Sequence, residues 1–257
     1  MKSILSRDNP GYKQLKKLSE SARERRKAGL ALLEGVHLVE AAKAAGIALH
    51  QLAVAEGALR HPEVAALISA GSVSATVVMP DGLFSELSTL ETPVGILATI
   101  PLPESAAPLS ADFALLLEDL QDPGNLGTIL RSAAAAGVQA VWLSTGCCDA
   151  WSPKVLRAGM GAHFKLAILE RADLQAVARD FQGQVLATCM DGDSLYQCDL
   201  RGPLALMVGN EGAGLSADLI AAASRRVTIP MPGGMESLNA AVATAVCLFE
   251  RVRQKAA

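Results

Sequence analysis

The sequence predicts an α/β protein, and three observations carry this prediction. Apolar segments recur along the whole chain and alternate between strand-like and helix-like spacing. Glycine or proline stands at the ends of many of these segments, as Gly46 and Pro80 do. Hydrophobic residues make up 51% of the 257 residues and charged residues only 19%, so the chain has ample material for a buried core.

The first hundred residues predict a small α/β domain of repeated βα units. The predicted strands are 30–33, 48–55, 73–79 and 94–100, and the predicted helices are 36–45, 62–70 and a short one after Pro80. Pro101, Pro103 and Pro108 then interrupt the pattern. We therefore place a linker at residues 101–110, between a domain 1–100 and a domain 111–257.

The second half alternates again and predicts a mostly parallel sheet. Residues 113–117 are a continuous apolar run, which is typical of a strand buried on both faces. Further strands are predicted at 138–143, 164–169, 185–189, 204–208 and 227–229, and helices at 126–136, 152–160, 174–181 and 236–253. Such sheets bind ligands at the carboxyl ends of their strands, so the loops that follow the strands are candidate site residues.

Charge is divided unevenly along the chain. Residues 1–30 hold nine Lys or Arg and three acidic residues, a charge of +6, while the other 227 hold 14 and 23, a charge of −9. A basic arm on an acidic body indicates nucleic-acid contact, with Arg25, Arg26 and Lys27 as the candidates. The alternative is a solvated helix face, because Tyr12, Leu15 and Leu18 form an apolar stripe on the opposite side.

The composition argues against several other classes of protein. The longest apolar stretch, 240–249, is half the length of about 20 residues that a spanning helix needs, and residues 1–11 lack the apolar core of a signal peptide. Five cysteines without a C-x-x-C spacing indicate reduced thiols, and four isolated histidines indicate no metal site. We therefore expect a cytoplasmic protein without metal and without a membrane segment.

Three glycine-containing loops each follow a predicted strand of the second half. They are DPGNLGTILR at 122–131, GNEGAGLS at 209–216 and IPMPGGMESLN at 229–239. Alone, each has a plain explanation: Asn125 as a helix N-cap, the second loop as a tight turn, and Ser237 and Asn239 as capping residues in the first turn of the last helix. The second loop is neither a Walker A loop nor a dinucleotide fingerprint. Three such loops at one sheet edge predict a single composite site.

Together the three loops resemble the motifs of the SpoU/TrmH family of SPOUT-class RNA 2′-O-ribose methyltransferases, in the family's order and at similar spacing. The resemblance runs from Phe113 to the C-terminus, and the first domain is similar to the family's ribosomal-protein-like substrate-binding domain. It implies a deep trefoil knot in the C-terminal SPOUT domain, S-adenosylmethionine (AdoMet) as cofactor, and a homodimer formed through that domain. The reaction implied is methyl transfer to a ribose 2′-hydroxyl of RNA, with rRNA favoured over tRNA. Gly159 and Ala240-Ala241 depart from residues common in the family.

The resemblance also implies residue roles. Those expected to act in catalysis are Arg131, Asn125, Glu211, Ser237 and Asn239, and those expected to bind the cofactor are Thr188, Gly209, Ile229, Met231 and Leu238. Arg157 joins Arg25, Arg26 and Lys27 as an expected RNA contact. The family proposal makes the equivalent of Arg131 a general base, but a guanidinium holds its proton too strongly, which favours an electrostatic role.

Several alternatives stay open at this point. They are a tRNA 2′-O-methyltransferase, a SPOUT enzyme that methylates a base, and a non-catalytic RNA-binding protein on the same scaffold. A nucleotide-dependent oxidoreductase is disfavoured, because the fragment at Gly159 and Gly161 lacks the third glycine of a dinucleotide fingerprint. The sequence names neither the RNA nor the nucleotide.

Overall fold

The protein, described as a computed structural model over residues 1–69, 73, 75–103 and 111–256, divides into two compact units. The N-terminal unit comprises Met1–Glu104 and Trp151–Phe164, and the C-terminal unit comprises Ser105–Ala150 and Lys165–Ala257. Most of the predicted linker at 101–110, and the predicted end of the helix at 62–70, lie outside the described residues.

The N-terminal unit is a mixed sheet with helices packed on it. Its elements are β1 (Lys2–Ser3), α1 (Pro10–Glu20), α2 (Ala22–Ala28), β2 (Leu30–Glu34), α3 (Val36–Ala44), β3 (Gln51–Ala55), α4 (Pro62–Ser69), β4 (Thr76–Met79), α5 (Asp81–Leu87) and β5 (Ile96–Pro101). The strand order is β1-β4-β3-β5-β2. β1, β4 and β3 run parallel, whereas β5 is antiparallel to both of its neighbours. The unit is α/β as predicted, although repeated βα units alone would not give this antiparallel strand.

The C-terminal unit is built on a sheet of six strands, all parallel. The remaining elements are β6 (Phe113–Leu117), α6 (Pro123–Ala136), β7 (Ala140–Leu143), α7 (Pro153–Gly159), β8 (Ala167–Leu169), α8 (Leu174–Asp180), β9 (Gln184–Ser194), β10 (Leu204–Val208), α9 (Ala217–Ala222), β11 (Arg225–Thr228) and α10 (Ala240–Ala256); of these, α7 belongs to the N-terminal unit. The strand order is β11-β9-β10-β6-β7-β8. The central strands β6 and β10 are buried throughout, because helices cover both faces of a parallel sheet. The α/β class and the parallel sheet are confirmed, and the knot stays an expectation of the resemblance.

Two helices begin several residues away from their predicted starts. α6 begins at Pro123 rather than 126, because Asp122 caps it: the Asp122 carboxylate accepts the backbone N–H of Asn125 at 2.7 Å. Asn125 is therefore inside the first turn and is not the cap. α10 begins at Ala240 rather than 236, so Ser237 precedes the helix instead of lying in its first turn.

A buried arginine anchors the far end of α10. The Arg251 guanidinium lies 4.0 Å from the centre of the Phe113 ring and donates to the carbonyls of Asp112 and Gly202 at 3.1 and 2.9 Å. Gln254 adds hydrogen bonds to the backbone of Cys198 and Leu200. These contacts fix the helix against the sheet, and α10 also packs on α6. At the other end, a hydrogen bond from Asn239 to Asn125 joins the N-terminus of α10 to that of α6.

The two tryptophans of the chain lie one in each unit. Trp142, on β7, is 9% exposed and packs in the core of the C-terminal unit. Trp151 is 5% exposed in the N-terminal unit, with its ring 5.2 Å from that of His163. Both indoles are thus shielded from water.

Two kinds of feature are missing from the part of the chain that the structure describes. None of its helices combines the length and apolar character that a membrane crossing requires. Over the same residues, no three His, Cys, Asp or Glu side chains gather in a metal-binding arrangement.

Candidate functional site

Hydrogen bonds between side chains join the three predicted loops in the C-terminal unit. The Asn125 amide nitrogen donates to the Glu211 carboxylate at 3.1 Å, and the Asn239 amide nitrogen donates to the Asn125 amide oxygen at 2.9 Å. The Asn239 oxygen in turn accepts the backbone N–H groups of Ala241 and Val242 at 2.9 and 3.3 Å, which caps α10. We call Glu211, Asn125 and Asn239 the amide relay; it brings together three of the five predicted catalytic residues.

The orientation of both amides in the relay is fixed by its two ends. At one end the backbone N–H groups of α10 can only donate, so the oxygen of Asn239 must face them. At the other end the ionised carboxylate of Glu211 can only accept, so the nitrogen of Asn125 must face it. Each hydrogen bond of the relay therefore pairs a donor with an acceptor. Reversing Asn125 would place like atoms together at two contacts, and reversing Asn239 would do so at three.

Glu211 is held as an anion. Partial burial of its carboxylate raises the pKa, but the hydrogen bond from Asn125 and those from the backbone N–H groups outweigh burial, so the pKa lies below its usual range. Two of these N–H groups belong to Gln121 and Asp122, each 3.4 Å away. A carboxylate with a lowered pKa is a weak proton acceptor at neutral pH, which suits a positioning role better than that of a general base.

Arg131 and Ser237, the other two predicted catalytic residues, lie outside the relay. Arg131 is on α6 with an exposed side chain, and within the described part of the chain its guanidinium makes no hydrogen bond or ion pair. Ser237 is exposed on the loop before α10 and lines the adjacent cavity. The fold therefore leaves the charge of Arg131 available to a ligand.

A cavity of about 520 Å³ lies among the loops of this unit, a size typical of small-molecule sites. All five residues predicted to bind the cofactor line it: Thr188, Gly209, Ile229, Met231 and Leu238. Glu211 also lines it, whereas Arg131, Asn125 and Asn239 do not. The Thr188 hydroxyl donates to the carbonyl of Met207 at 2.9 Å, so its proton is already used within the fold.

Only glycine fits at position 209, because the backbone there lies close to the backbone of Gly214 and Leu215 in the same loop. A Cβ at this position would lie 2.1 to 2.3 Å from backbone atoms of Gly214 and Leu215, too close for any side chain. Asn210 and Gly214 exchange two backbone hydrogen bonds of 3.0 Å, which close the turn. The bare backbone at Gly209 forms part of the cavity wall, so a ligand can approach it closely.

The residues of the cavity fit AdoMet. Val208, Leu215, Val227, Ile229 and Leu238 supply apolar contact for the faces of an adenine. The glycine-containing turn offers backbone groups to the polar edges of that ring. Glu211 and Glu236 place negative charge at the wall, which favours a positively charged sulfonium.

The residues predicted to contact RNA divide into two groups. Arg25 is only 4% exposed, and its guanidinium donates to the carbonyl of Leu18 at 2.6 Å, so it braces the corner between α1 and α2. Arg26 and Lys27 are exposed. The sequence did carry a signal for this difference, because Arg25 continues the three-to-four-residue spacing of the apolar stripe.

Arg157 is also engaged within the N-terminal unit. Its guanidinium donates to the Thr89 hydroxyl at 2.6 Å and lies 3.3 Å from the Glu34 carboxylate, whose side chain is 3% exposed. Glu34 additionally accepts hydrogen bonds from Ser88 and Thr89. The position of Arg157 therefore indicates a structural ion pair that attaches α7 to β2, which local sequence could not reveal because the partners are 123 residues apart.

Comparison with known proteins agrees with this geometry. The model of the SpoU rRNA Methylase family matches residues 112–249, and that of the MRM3-like substrate binding domain matches residues 9–98. The chain is 39% identical, over 98% of its length and 94% of the relative's, to an uncharacterized tRNA/rRNA methyltransferase of Synechocystis. It is 35% identical to the 23S rRNA (guanosine(2553)-2′-O)-methyltransferase RlmP of Bacillus subtilis, over 97% and 98% of the two chains.

A solved structure supports the same assignment. The SpoU methyltransferase AviRb from Streptomyces viridochromogenes, in complex with AdoMet, superposes with a TM-score of 0.89 at 28% identity, over 97% of this chain and 99% of that one. The predictions of family, enzyme class and AdoMet as cofactor are thereby confirmed. The chain belongs to the SpoU rRNA methylase family and is an AdoMet-dependent RNA methyltransferase.

Proposed function

We propose that the chain transfers a methyl group from AdoMet to a ribose 2′-hydroxyl of ribosomal RNA. The observation that carries the proposal is the meeting of the three loops, with the amide relay on one side and the cavity on the other. The relative from Bacillus subtilis is named for this reaction on 23S rRNA, and the match runs over nearly the full length of both chains.

The cofactor residues would act mainly by shape and backbone polarity. Gly209, Ile229 and Leu238 would hold AdoMet through main-chain groups, with Met231 and Thr188 adding contact. Bound AdoMet supplies a methyl group that its sulfonium has already activated. Positioning of the ribose hydroxyl is therefore the larger part of the work left to the protein.

Arg131 would orient the ribose hydroxyl and an adjacent phosphate. A guanidinium donates hydrogen bonds, so Arg131 would stabilise the negative charge that develops on the hydroxyl oxygen. The hydroxyl would give up its proton to solvent water as its oxygen takes the methyl group. The amide relay would hold the N-terminus of α6 at a fixed position relative to the cavity loop. Arg131 lies further along the same helix, so its position would be fixed as well. Ser237, on the cavity rim, would contact the ribose.

The N-terminal unit would bind the RNA. Arg26 and Lys27 are its candidate phosphate contacts, because both are exposed on the basic arm. The division into an RNA-binding region 1–100 and a methyltransferase region 111–257 follows from this proposal. Ribosomal RNA as substrate also supports the cytoplasmic location expected from the sequence.

A homodimer would form through α10. Val242, Phe249 and Val252 are exposed at spacings of seven and three residues, which places them along one side of the helix. Phe249→Lys should convert the dimer to a monomer in sedimentation velocity, while Lys255→Ala on the same helix should not. A wild-type chain that sediments as a monomer would contradict the proposal.

The test is methyl incorporation from labelled AdoMet into RNA of a cell that lacks this protein, followed by digestion to nucleosides. The expected product is a 2′-O-methyl nucleoside in the rRNA fraction. Label in tRNA would change the substrate, and label on a base would overturn the proposed reaction. Arg131→Ala should abolish turnover while AdoMet binding, measured by calorimetry, stays intact; retained turnover would refute the role of Arg131.

A further inference from the structure

The segment between β6 and α6 is fixed by a side chain that the family motifs do not include. Asp119 has a φ of +52°, a left-handed conformation that is uncommon for residues other than glycine. Ser144 makes two hydrogen bonds with Asp119. Its hydroxyl donates to the Asp119 carboxylate at 2.5 Å and accepts the Asp119 backbone N–H at 2.9 Å. The hydroxyl thus both donates to Asp119 and accepts from it, and the Cys147 thiol lies 3.7 Å from the same oxygen.

The main chain is shaped to admit the Asp119 carboxylate. A Cβ on Gly146 would lie 2.2 to 2.9 Å from the carboxylate atoms, so a side chain there would displace the carboxylate from its present position. Gly146 is in the same turn as Ser144, directly after β7. In this turn the Asp119 carboxylate is bound by the Ser144 hydroxyl and occupies the space that a side chain at position 146 would fill.

On its other side Asp119 meets the loop that lines the cavity. Its carbonyl oxygen accepts a hydrogen bond from the Asn210 side-chain nitrogen at 2.8 Å. The Asn210 side-chain oxygen accepts the backbone N–H groups of Gly212 and Ala213 at 2.9 and 3.0 Å. Because the backbone conformation of Asp119 sets where its carbonyl points, a change in that conformation would move the acceptor away from Asn210, which holds the turn 210–214.

We propose that Asp119, locked in its left-handed conformation by Ser144, is a positioning residue that sets the shape of the cavity turn 210–214 and thereby the affinity for AdoMet. Asp119 itself is not among the residues that line the cavity, so it acts through Asn210. The inference rests on the proposed function in one respect, namely that this cavity is where AdoMet binds.

The test compares AdoMet affinity, measured by calorimetry, with turnover at saturating AdoMet. Asp119→Ala and Ser144→Ala should each raise Kd about tenfold, the size expected for loss of one hydrogen bond to a charged group. Turnover at saturating AdoMet should fall by less than the affinity does, because bound AdoMet holds the turn 210–214, and with it Glu211 of the relay, in place. The double variant should have the same Kd for AdoMet as either single variant, because the two substitutions remove the same interaction.

Asp119→Asn separates positioning from general instability. Asparagine tolerates a left-handed φ and offers an oxygen to the Ser144 hydroxyl, so this variant should bind AdoMet as the wild type does. Arg171→Gly is the matched control, because Arg171 also has a positive φ, +59°, but is exposed and does not line the cavity. It should leave Kd unchanged.

Three results would overturn the inference: an unchanged Kd in Asp119→Ala or in Ser144→Ala, equal losses of affinity and of turnover at saturation, or failure of Asp119→Asn to restore binding. A wild-type chain that does not bind AdoMet would refute the proposed function together with this inference. Binding by the wild type with unaltered binding by the variants would refute the inference alone.

Discussion

Replacing Asn125 by aspartate would test the amide relay, because it exchanges only the side-chain NH2 group for an oxygen. The substitution keeps the shape of the side chain and still accepts the hydrogen bond from Asn239. It removes the donor to Glu211 and sets a second carboxylate oxygen at the position now 3.1 Å from the first. The relay then contains a like-charge contact in place of a hydrogen bond.

The cost follows from the distance and the exposure. Two unit charges about 4 Å apart repel by ~1 kcal/mol in water and ~4 kcal/mol near a protein surface of low dielectric constant. Asn125 is half-buried and Glu211 is exposed, so about 2 kcal/mol is reasonable after solvent screening. The lost hydrogen bond adds about 1 kcal/mol. A total near 3 kcal/mol corresponds to a fall in Tm of about 6 to 12 °C for a unit of this size.

The penalty should depend on pH in a known direction. The introduced carboxyl has its folded-state pKa raised by Glu211, above the ordinary value near ~4. The penalty is therefore absent below that ordinary value and grows as pH rises through the raised one. When protonated, the new carboxyl can donate to Glu211 and still accept from Asn239, which restores the relay. In the wild type the pKa of Glu211 lies below its usual range, so the relay persists as pH falls to 5.

The measurement is the difference in Tm between wild type and Asn125→Asp at pH 8, 7, 6, 5 and 4.5, together with methyl transfer at pH 7 and 5, since a penalty of about 2 kcal/mol places the change at about pH 4 to 5.5. The difference should shrink as pH falls, and relative activity should recover. Asn125→Ala is the control, because it removes the hydrogen bonds without adding a charge. The difference in Tm between this variant and wild type should not change with pH. Parallel profiles for Asn125→Asp and wild type would refute the reasoning.

Three further predictions concern the same chain. Asn239→Asp keeps an oxygen for the α10 cap but loses the donor to Asn125, so Tm should fall by no more than about 4 °C while methyl transfer falls more than tenfold; equal losses after this change and after Asn239→Ala would contradict it. Gly209→Ala should weaken AdoMet binding at least tenfold, whereas Gly212→Ala, whose Cβ would meet nothing nearer than 3.6 Å, should bind normally by calorimetry. Arg157→Ala leaves a buried carboxylate without its cation and should lower the free energy of unfolding by about 2 kcal/mol in urea, with no change in the salt dependence of RNA binding; reduced RNA affinity at unchanged stability would show an RNA contact instead.

The central strands could be predicted well because their signal is strong. Phe113–Leu117 and Leu204–Val208 have the predicted bounds, since a strand buried on both faces is a short, unbroken apolar run. The starts of α6 and α10 were predicted wrongly by three and four residues. There, several residues in succession can cap a helix, and tertiary contacts decide which one does.

Residue roles were harder to predict than their proximity. The three loops were expected to form one site, and hydrogen bonds do join them, but which amide faces which partner depends on tertiary geometry. Arg25 was expected to contact RNA because a basic side chain among other basic residues is usually solvated, although its spacing from the apolar stripe favoured burial. The Asp119–Ser144 contact joins residues 25 apart in the chain, and neither stands in a recognisable pattern.

The separate burial of the two tryptophans gives each unit its own fluorescent reporter. Trp142→Phe would leave only the signal of the N-terminal unit, and Trp151→Phe only that of the C-terminal unit. Unfolding traces of the two variants would coincide if the units melt together and separate if they melt one after the other. The His163 ring lies 5.2 Å from that of Trp151, so the two indoles also differ in their surroundings. Cooperativity between the units is thus measurable without attaching a dye.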